Sequence, residues 1–131
     1  KADEEIQAYK AAIRLRPDYT VAYERLGSRY LRSKKFTEAV EVFRQLATLK
    51  PGDYNAPNNM GEALLELNRL NDAVESFRQS IRLKPDFGKA YYNLGRCLLA
   101  MGNRDGALEQ YTILTNIDPD YAEKLNSLIN P

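Results

Sequence analysis

The sequence contains no histidine and no tryptophan, and its 131 residues include only one cysteine. Without histidine, the chain lacks the side chain that most often serves as a general base, a metal ligand or a pH switch near neutrality. This absence argues against an enzyme and predicts neither a metal site nor a bound cofactor. The lone cysteine, Cys97, cannot form an internal disulfide, so nothing indicates an oxidising compartment.

Long apolar runs and a strong excess of either charge are also missing. No stretch approaches the roughly 18 apolar residues that a membrane helix needs, and no secretory signal pattern opens the sequence. The formal net charge is +1, so neither nucleic acid nor an anionic membrane is indicated as a partner. These features predict a soluble protein and favour the cytoplasm, and the length suits one domain with a continuous core.

A repeat of 34 residues runs through the sequence. Each unit holds two apolar patterns of helical length and almost no strand-like alternation. A proline in each unit should end the second helix, because proline disfavours helical geometry in the residue before it. Four sets of residues keep the interval: Pro17, Pro51, Pro85 and Pro119; Gly27, Gly61 and Gly95; Ala39, Ala73 and Ala107; and the aromatics Tyr9, Phe43, Phe77 and Tyr111.

The three recurring glycines fall in the middle of predicted helices, where glycine costs about 1 kcal/mol relative to alanine. We expect each glycine to permit the close approach of a neighbouring helix backbone, with the recurring alanines serving the same contact from the second helix. Polar residues also recur where the second helices should begin. The predicted N-caps of these helices are Thr37, Asn71 and Asp105.

These positions resemble the tetratricopeptide repeat family, whose pattern is an aromatic, leucine–glycine and an aromatic, then alanine, aromatic and proline. The resemblance covers essentially the whole chain. The matching residues are Tyr23, Leu26, Gly27, Tyr30, Ala39, Phe43 and Pro51 in the first full unit; Pro57, Met60, Gly61, Leu64, Ala73, Phe77 and Pro85 in the second; and Tyr91, Leu94, Gly95, Leu98, Ala107, Tyr111 and Pro119 in the third. It implies an all-α fold, a right-handed α-solenoid of antiparallel helix pairs, that acts as a protein–protein interaction module.

One domain is predicted, and the repeat divides it into units. These are residues 1–19 as the second helix of a partial repeat, full repeats over 20–53, 54–87 and 88–121, and a C-terminal capping or partial helix over 122–131. Tyr121, Leu125, Leu128 and Ile129 are expected to cover the last full unit.

The half unit at the start has two interpretations. The preferred one is that the chain is a fragment of a longer protein. The other is that Ile6, Tyr9 and Ile13 form an exposed edge through which the protein associates with itself as a homo-oligomer. Glu5 departs from the pattern, because it stands where the other units have alanine.

The segment YNAPNNMGEALLELN, residues 54–68, carries Pro57 where the neighbouring units have Tyr23 and Tyr91. Because proline cannot donate a backbone hydrogen bond, we expect this helix to begin one or two residues later than its counterparts. Asn55 would then be the N-cap, and Pro57 would lie in the first turn, where proline is tolerated. The unit also lacks the aromatic ring of its counterparts at this position.

The resemblance implies that the first helices line a concave groove, where side chains free of packing contacts would bind a peptide or protein segment. The predicted groove residues are Glu24, Arg25, Ser28, Leu31, Arg32, Asn58, Asn59, Glu62, Leu65, Glu66, Lys89, Tyr92, Asn93, Arg96 and Leu99. The last helix adds Glu123, Asn126 and Ser127 at the edge.

Two ladders within this set point to binding. Asn59 and Asn93, one repeat apart, are expected to offer a donor and an acceptor to an extended peptide backbone. Leu31, Leu65 and Leu99 form an apolar line at the same interval. For both ladders the alternative is ordinary repeat chemistry, an asparagine common at that place and leucines that belong to the core.

Charge in the predicted groove forms bands, with Arg25 and Arg32, then Glu62 and Glu66, then Lys89 and Arg96. Solvated surface charge is the competing interpretation. Two carboxylates alone are too few for a metal site. The small basic cluster of Arg32, Lys34 and Lys35 is interpreted as a solvated turn, and Cys97 as a buried, inert packing residue.

Some members of the family grip the carboxylate end of chaperone tails through a clamp of lysines, asparagines and an arginine. Asn59 and Lys89 match two of those positions. Glu24 and Ser28, however, stand where the clamp has lysine and asparagine, and Asn93 replaces its arginine. A glutamate there would repel the carboxylate, so chaperone-tail binding is not predicted.

Overall fold

The computed structural model describes all 131 residues, which form eight α-helices and no strand. The helices are α1 Ala2–Leu15, α2 Thr20–Arg32, α3 Phe36–Leu49, α4 Asn55–Glu66, α5 Leu70–Leu83, α6 Gly88–Ala100, α7 Arg104–Ile117 and α8 Pro119–Ile129. Each helix packs against the next in sequence, and α6 also packs against α4 and α8. The predicted all-α solenoid is therefore confirmed. None of the helices is both long and apolar enough to cross a membrane.

The recurring prolines end helices as predicted. The residue before each proline has extended backbone, with φ of −139° at Arg16, −137° at Lys50, −143° at Lys84 and −157° at Asp118. This is the geometry that the following proline ring imposes. The last proline, Pro119, also begins α8, where its missing N–H costs nothing.

A left-handed residue makes the tight turn inside each helix pair. Lys34, Asn68 and Gly102 have φ of 59°, 61° and 79° and stand one repeat apart. In the first pair, the N–H of Lys35 donates to the carbonyl of Tyr30 at 2.8 Å, and equivalent bonds recur in the next two units. This is the Schellman arrangement, which satisfies carbonyls at the end of a helix. The left-handed geometry of this turn was not predicted, because lysine, asparagine and glycine share no residue type that would mark it in the sequence.

The predicted N-caps of the second helices are wrong. The N-caps lie two residues before Thr37, Asn71 and Asp105, at Lys35, Arg69 and Asn103. The left-handed turn is the physical reason. The residue after it donates its N–H to the end of the first helix and is also the N-cap of the second helix, as Lys35 shows. Of the three, only Asn103 caps with its side chain, which accepts a hydrogen bond of 2.8 Å from the N–H of Gly106.

The mid-helix glycines make room for side chains, and not for a helix backbone as expected. A Cβ on Gly27 would lie 2.5 Å from the ring of Phe43, and one on Gly61 would lie 2.6 Å from the ring of Phe77. Both rings are fully buried. The recurring alanines of the second helices are buried completely as well. The recurring glycine therefore marks the point where an aromatic ring of the second helix packs against the first helix, in the space that a side chain would otherwise occupy.

Helix α8 takes the place of a further unit at the C-terminal end. A Cβ on Gly95 would meet the side chain of Leu125 at 2.6 Å, so a leucine fills the space that a phenylalanine fills elsewhere. Leu125 and Ile129 are buried, and Tyr121 is half-buried, as predicted. Leu128 is 47% exposed, so the prediction that it covers the last unit is wrong. Ala122, Leu125 and Ile129 are the buried residues of the helix, and Leu128 lies about 100° around the helix from Ile129, toward solvent.

Helix α4 begins at Asn55, one residue later than the repeat-equivalent starts of α2 and α6. The delayed start and the place of Pro57 in the first turn agree with the prediction, but the N-cap is Tyr54 rather than Asn55. Asp53 explains the difference, because its carboxylate accepts the N–H of Asn55 at 2.9 Å and so fixes that residue at the first helical position.

The tyrosines that stand at the position of Pro57 in the neighbouring units each make a hydrogen bond. The hydroxyl of Tyr23 donates to the carbonyl of Pro17, and that of Tyr91 donates to Pro85, each at 2.7 Å. These bonds tie the first helix of a unit to the preceding turn. Pro57 has no hydroxyl to do the same. In this unit, the hydroxyl of Ser80 donates instead to the carbonyl of Tyr54 at 2.7 Å.

Helix α1 packs against α2 with the face that was predicted to be an exposed edge. Ile6 is only 4% exposed, and Tyr9 and Ile13 are half-buried against the core. The prediction of an exposed edge is therefore wrong for Ile6. The reason is that the apolar stripe of α1 is the surface that buries against its neighbour in the solenoid.

An ion pair distinguishes the joint between α1 and α2. The carboxylate of Glu5 contacts the guanidinium of Arg29, which is largely buried. At the positions equivalent to Glu5 the later units have buried alanines such as Ala39, and at those equivalent to Arg29 they have Ala63 and Cys97, also buried. A pair of opposite charges thus replaces a pair of small residues, which accounts for the departure of Glu5 from the repeat.

We expect Gly61→Ala to lower the free energy of unfolding by about 1–2 kcal/mol, because the buried ring of Phe77 has no room to move away from the added methyl group. The steric cost is about 2–3 kcal/mol, which exceeds the roughly 1 kcal/mol of helix propensity that alanine gains. Urea denaturation measures the change. Gly52→Ala is the control, since a Cβ there meets nothing within 4 Å and should change stability by less than about 0.5 kcal/mol.

A double-mutant cycle tests the joint between α1 and α2. Glu5→Ala and Arg29→Ala should each destabilise the protein, and the double variant should be less destabilised than their sum by about 1 kcal/mol. The exposed pair Arg82–Glu75, 2.9 Å apart, is the control and should couple by less than about 0.5 kcal/mol. Equal coupling energies in the two cycles would show that partial burial does not strengthen the Glu5–Arg29 ion pair.

Candidate functional site

An open pocket of about 480 Å³ lies where α2, the start of α3, α4, α6 and α8 come together. We call it the central pocket. Its walls combine cations, carboxylates and two tyrosines. The lining residues are Leu31, Arg32, Lys34, Phe36, Glu62, Glu66, Lys89, Tyr92, Asn93, Arg96, Tyr121 and Lys124.

The central pocket brings together about half of the predicted groove residues. These are Leu31, Arg32, Glu62, Glu66, Lys89, Tyr92, Asn93 and Arg96. Four lining residues were not predicted. Lys34 belongs to the turn between α2 and α3, which is interpreted from the sequence as solvated surface, and Phe36 is the first residue of α3. Tyr121 and Lys124 lie on α8, where the sequence predicts Glu123, Asn126 and Ser127 at the edge of the groove instead; the family pattern carries no positional signal for this terminal helix.

A second depression, the side pocket, holds three other predicted residues. Glu24, Ser28 and Asn59 line a space of about 260 Å³ between α2 and α4, next to the end of α3. Lys50 also lines this pocket and forms an ion pair of 3.2 Å with Glu24. The structure therefore places Asn59 and Asn93, which were expected to act together, in two different pockets.

The remaining predicted residues line neither pocket. Arg25 is exposed, and Leu65 and Leu99 are half-buried against the core. Of the predicted apolar line, only Leu31 reaches the central pocket. For Leu65 and Leu99 the alternative of ordinary core packing agrees with the structure. Their part in binding stays a prediction.

Asn58 and Asn93 are interior residues, contrary to the expectation that their amides project into the groove. They are 1% and 2% exposed. The side-chain nitrogen of Asn93 donates to the side-chain oxygen Oδ1 of Asn58 at 3.0 Å and to the carboxylate of Glu62 at 3.1 Å. The guanidinium of Arg96 donates to the side-chain oxygen of Asn93 at 3.2 Å. Because its donor and acceptor are both engaged, Asn93 joins α4 to α6 and positions two side chains of the pocket wall.

Two tyrosines form an aromatic platform on one side of the central pocket. The ring centroids of Tyr92 and Tyr121 are 5.2 Å apart and tilted by 37°. A cation lies over each ring, Arg96 at 5.8 Å from the centroid of Tyr92 and Lys124 at 5.0 Å from that of Tyr121. Such cation–π contacts hold flexible cations against a surface without neutralising them. The platform joins α6 to α8 and keeps positive charge at the pocket.

Cys97 is buried, as predicted, and does not line the central pocket. Its thiol donates a weak hydrogen bond of 3.4 Å to the carbonyl of Leu70. Burial raises the pKa of the thiol, while the nearby charge of Arg96 lowers that pKa by less. The residue therefore stays a neutral packing side chain.

Glu62 and Glu66, the two carboxylates of the central pocket, differ in their surroundings. Glu62 is half-buried and accepts from Asn93, and the ammonium of Lys89 lies 3.7 Å away. Glu66 is exposed and takes part in no ion pair. No group of three or more potential metal ligands comes together in the structure.

Comparison with known families gives two matches, both to models described as tetratricopeptide repeat. One covers residues 58–122 and the other residues 30–76. Comparison with curated proteins finds no match. Among solved structures 278 chains match, so the architecture is common and a likeness of this kind does not identify a partner.

The chain is similar in structure to MamA. One crystal structure of MamA is 25% identical with a TM-score of 0.87, and the match covers 95% of this chain and 74% of that chain. A second has the same identity and a TM-score of 0.88, and covers 98% and 71%. MamA 41-end from Desulfovibrio magneticus RS-1 is 21% identical with a TM-score of 0.84 and covers 91% and 67%; it supports the fold alone.

The repeat-equivalent asparagines should respond differently to the same change. Asn93→Ala should lower the free energy of unfolding by about 2–3 kcal/mol, because it leaves a cavity and removes the partner of buried polar groups. Asn59→Ala, at the half-buried equivalent position, should change it by less than about 0.5 kcal/mol. Thermal and urea denaturation check both variants. Similar decreases for the two would contradict the structural role assigned to Asn93.

Proposed function

Because the chain belongs to the tetratricopeptide repeat family, we propose that it is a binding module that holds a segment of a partner protein in the central pocket. The family and the fold are those of protein-interaction scaffolds, which are typically not enzymes. The proposal adds the place of binding and the form of the ligand, a peptide or an unfolded segment. It includes no catalytic step.

The observation that carries the proposal is the make-up of the central pocket. Its residues come from five helices, α2, α3, α4, α6 and α8, so it exists only in the stacked solenoid. The paired rings of Tyr92 and Tyr121 provide apolar area, which aromatic side chains supply at low entropic cost. Exposed charges such as Arg32 and Glu66 line the same pocket. Aromatic side chains beside polar and charged ones are the usual composition of a protein-binding site.

Self-association is the less favoured role. It depends on an exposed edge formed by Ile6, Tyr9 and Ile13, and Ile6 is buried against the rest of the molecule. Leu15 and Leu128 are exposed apolar residues near the two ends, but scattered exposed leucines are normal on protein surfaces. The proposed function is therefore a groove that receives another protein.

The test is to select binders from a displayed library of random peptides and to map where they bind. In two-dimensional NMR, the selected peptides should shift amide signals of residues that line the central pocket. Tyr92→Ala should weaken them at least tenfold, about 1.4 kcal/mol, because truncating an aromatic anchor removes a large part of such a contact. Tyr19→Ala is the control, since Tyr19 is an exposed tyrosine outside the pocket.

Melting curves of both variants show whether the fold is kept. Peptides that bind Tyr92→Ala as tightly as the unchanged protein, or that shift only amides remote from the central pocket, would exclude this site.

A further inference from the structure

Positive charge is concentrated in the central pocket and is mostly not neutralised there. The whole chain has a net charge of +1, whereas the pocket lining contains the five cations Arg32, Lys34, Lys89, Arg96 and Lys124 and two carboxylates. Of these cations only Lys89 takes part in an ion pair, with Glu62. Four cations therefore face the same open space without a carboxylate partner, which indicates a ligand that is acidic overall.

The charges are ordered across the helices. Arg32 and Lys34 come from α2 and the turn after it, Glu66 from α4, and Arg96 and Lys124 from α6 and α8. Glu62 is already compensated, so Glu66 is the uncompensated negative group of the middle helix. A ligand that crosses the pocket would thus meet positive, negative and again positive charge.

The backbone at Lys34 is a second and independent indication. Lys34 has φ of 59°, in the left-handed region, where the two equivalent positions have asparagine and glycine, the residues that tolerate it. A lysine at this position is a conformational cost that the fold does not require. Because the residue lines the pocket, the charge of its side chain explains its presence where the turn alone does not.

Resting on the proposed function, we propose that the central pocket recognises an acidic protein segment in which one basic residue lies between two acidic ones. The acidic residues would contact Arg32 and Lys34 at one end and Arg96 and Lys124 at the other, and the basic residue would contact Glu66. Helices α4 and α6 pack against each other, and packed helices are about 8–10 Å apart. An extended chain covers that interval in about three residues, which sets the separation between the basic residue and the acidic residue that faces Arg96 and Lys124.

A uniform polyanion fits the pocket less well than this segment. Nucleic acid or a run of acidic residues would bring negative charge against Glu66, and like charges at close range oppose binding. The tyrosine platform adds apolar area next to Arg96 and Lys124, and this suits the carbon chains of glutamate side chains or an apolar neighbour in the ligand. Charge order, as well as net charge, is therefore the property that the pocket selects.

The first part of the test uses peptides of one composition. A fluorescent peptide with a glutamate pair at each end and one lysine at the centre, separated by alanines, is compared with a permuted peptide whose lysine is at one end. We expect the ordered peptide to bind at least about fivefold tighter by anisotropy, and its binding to weaken as salt is raised. A peptide with the reversed order, lysine pairs around one glutamate, and a single-stranded oligonucleotide are the further probes.

The second part uses variants of the turn residues. Lys34→Gly should raise the melting temperature, because glycine relieves the left-handed backbone, and should weaken the ordered peptide severalfold, because a cation is removed. Asn68→Gly is the matched control: it has the same backbone geometry, with φ of 61°, and lies outside the central pocket. It should not weaken the peptide. Glu66→Lys should weaken the ordered peptide and strengthen a peptide in which alanine replaces the central lysine.

The outcomes separate the inference from the function on which it rests. Equal binding of the ordered and permuted peptides, tighter binding of the reversed peptide or of the oligonucleotide, or unchanged affinity in Lys34→Gly would each overturn the charge order. If library peptides without acidic residues bind in the central pocket, the binding function stands and the inference fails. If no peptide binds there, both fail.

Discussion

The solenoid depends on helices that can approach closely at one level of each unit. At that level the first helix carries a glycine, and a buried side chain, Phe43, Phe77 or Leu125, occupies the space that a Cβ would need. The recurring alanines of the second helices are completely buried. These contacts fix how the two helices pack within the pairs α2–α3 and α4–α5 and how α8 packs on α6, and the stacked helices bring residues from α2, α3, α4, α6 and α8 to one pocket. Residues far apart in the sequence become neighbours through packing that involves none of them.

The repeat period made the fold readable from the sequence, and local geometry was harder to read. Hydrophobic periodicity and the proline ladder predict where helices lie, because burial and the steric effect of proline are strong and local. The left-handed turn at Lys34, Asn68 and Gly102 left no common residue type, so the N-caps of the second helices were placed two residues late at Thr37, Asn71 and Asp105. Turn geometry was set by backbone hydrogen bonds that many residues can make.

The candidate site was predictable only in part, for a different reason. The geometry implied by the family resemblance places Asn58 and Asn93 in the groove. Their burial depends on each other and on Glu62 and Arg96, a set that exists only after the helices have packed. Tyr121 and Lys124 were not predicted because the terminal helix follows no repeat-wide rule. A sequence repeat identifies which side chains are equivalent, but equivalent residues can have different partners, as Asn59 and Asn93 do.

The ion pair between α1 and α2 affects the order in which the helices unfold. Where the later units use small buried residues such as Ala39 and Ala63, this joint uses the attraction between Glu5 and Arg29. Small-residue packing is insensitive to dissolved ions, whereas attraction between charges falls as counterions accumulate. Concentrated electrolyte should therefore loosen α1 ahead of the other helices, so that fraying of the array begins at its amino end and exposes Ile6 and the rest of the stripe that α1 now covers.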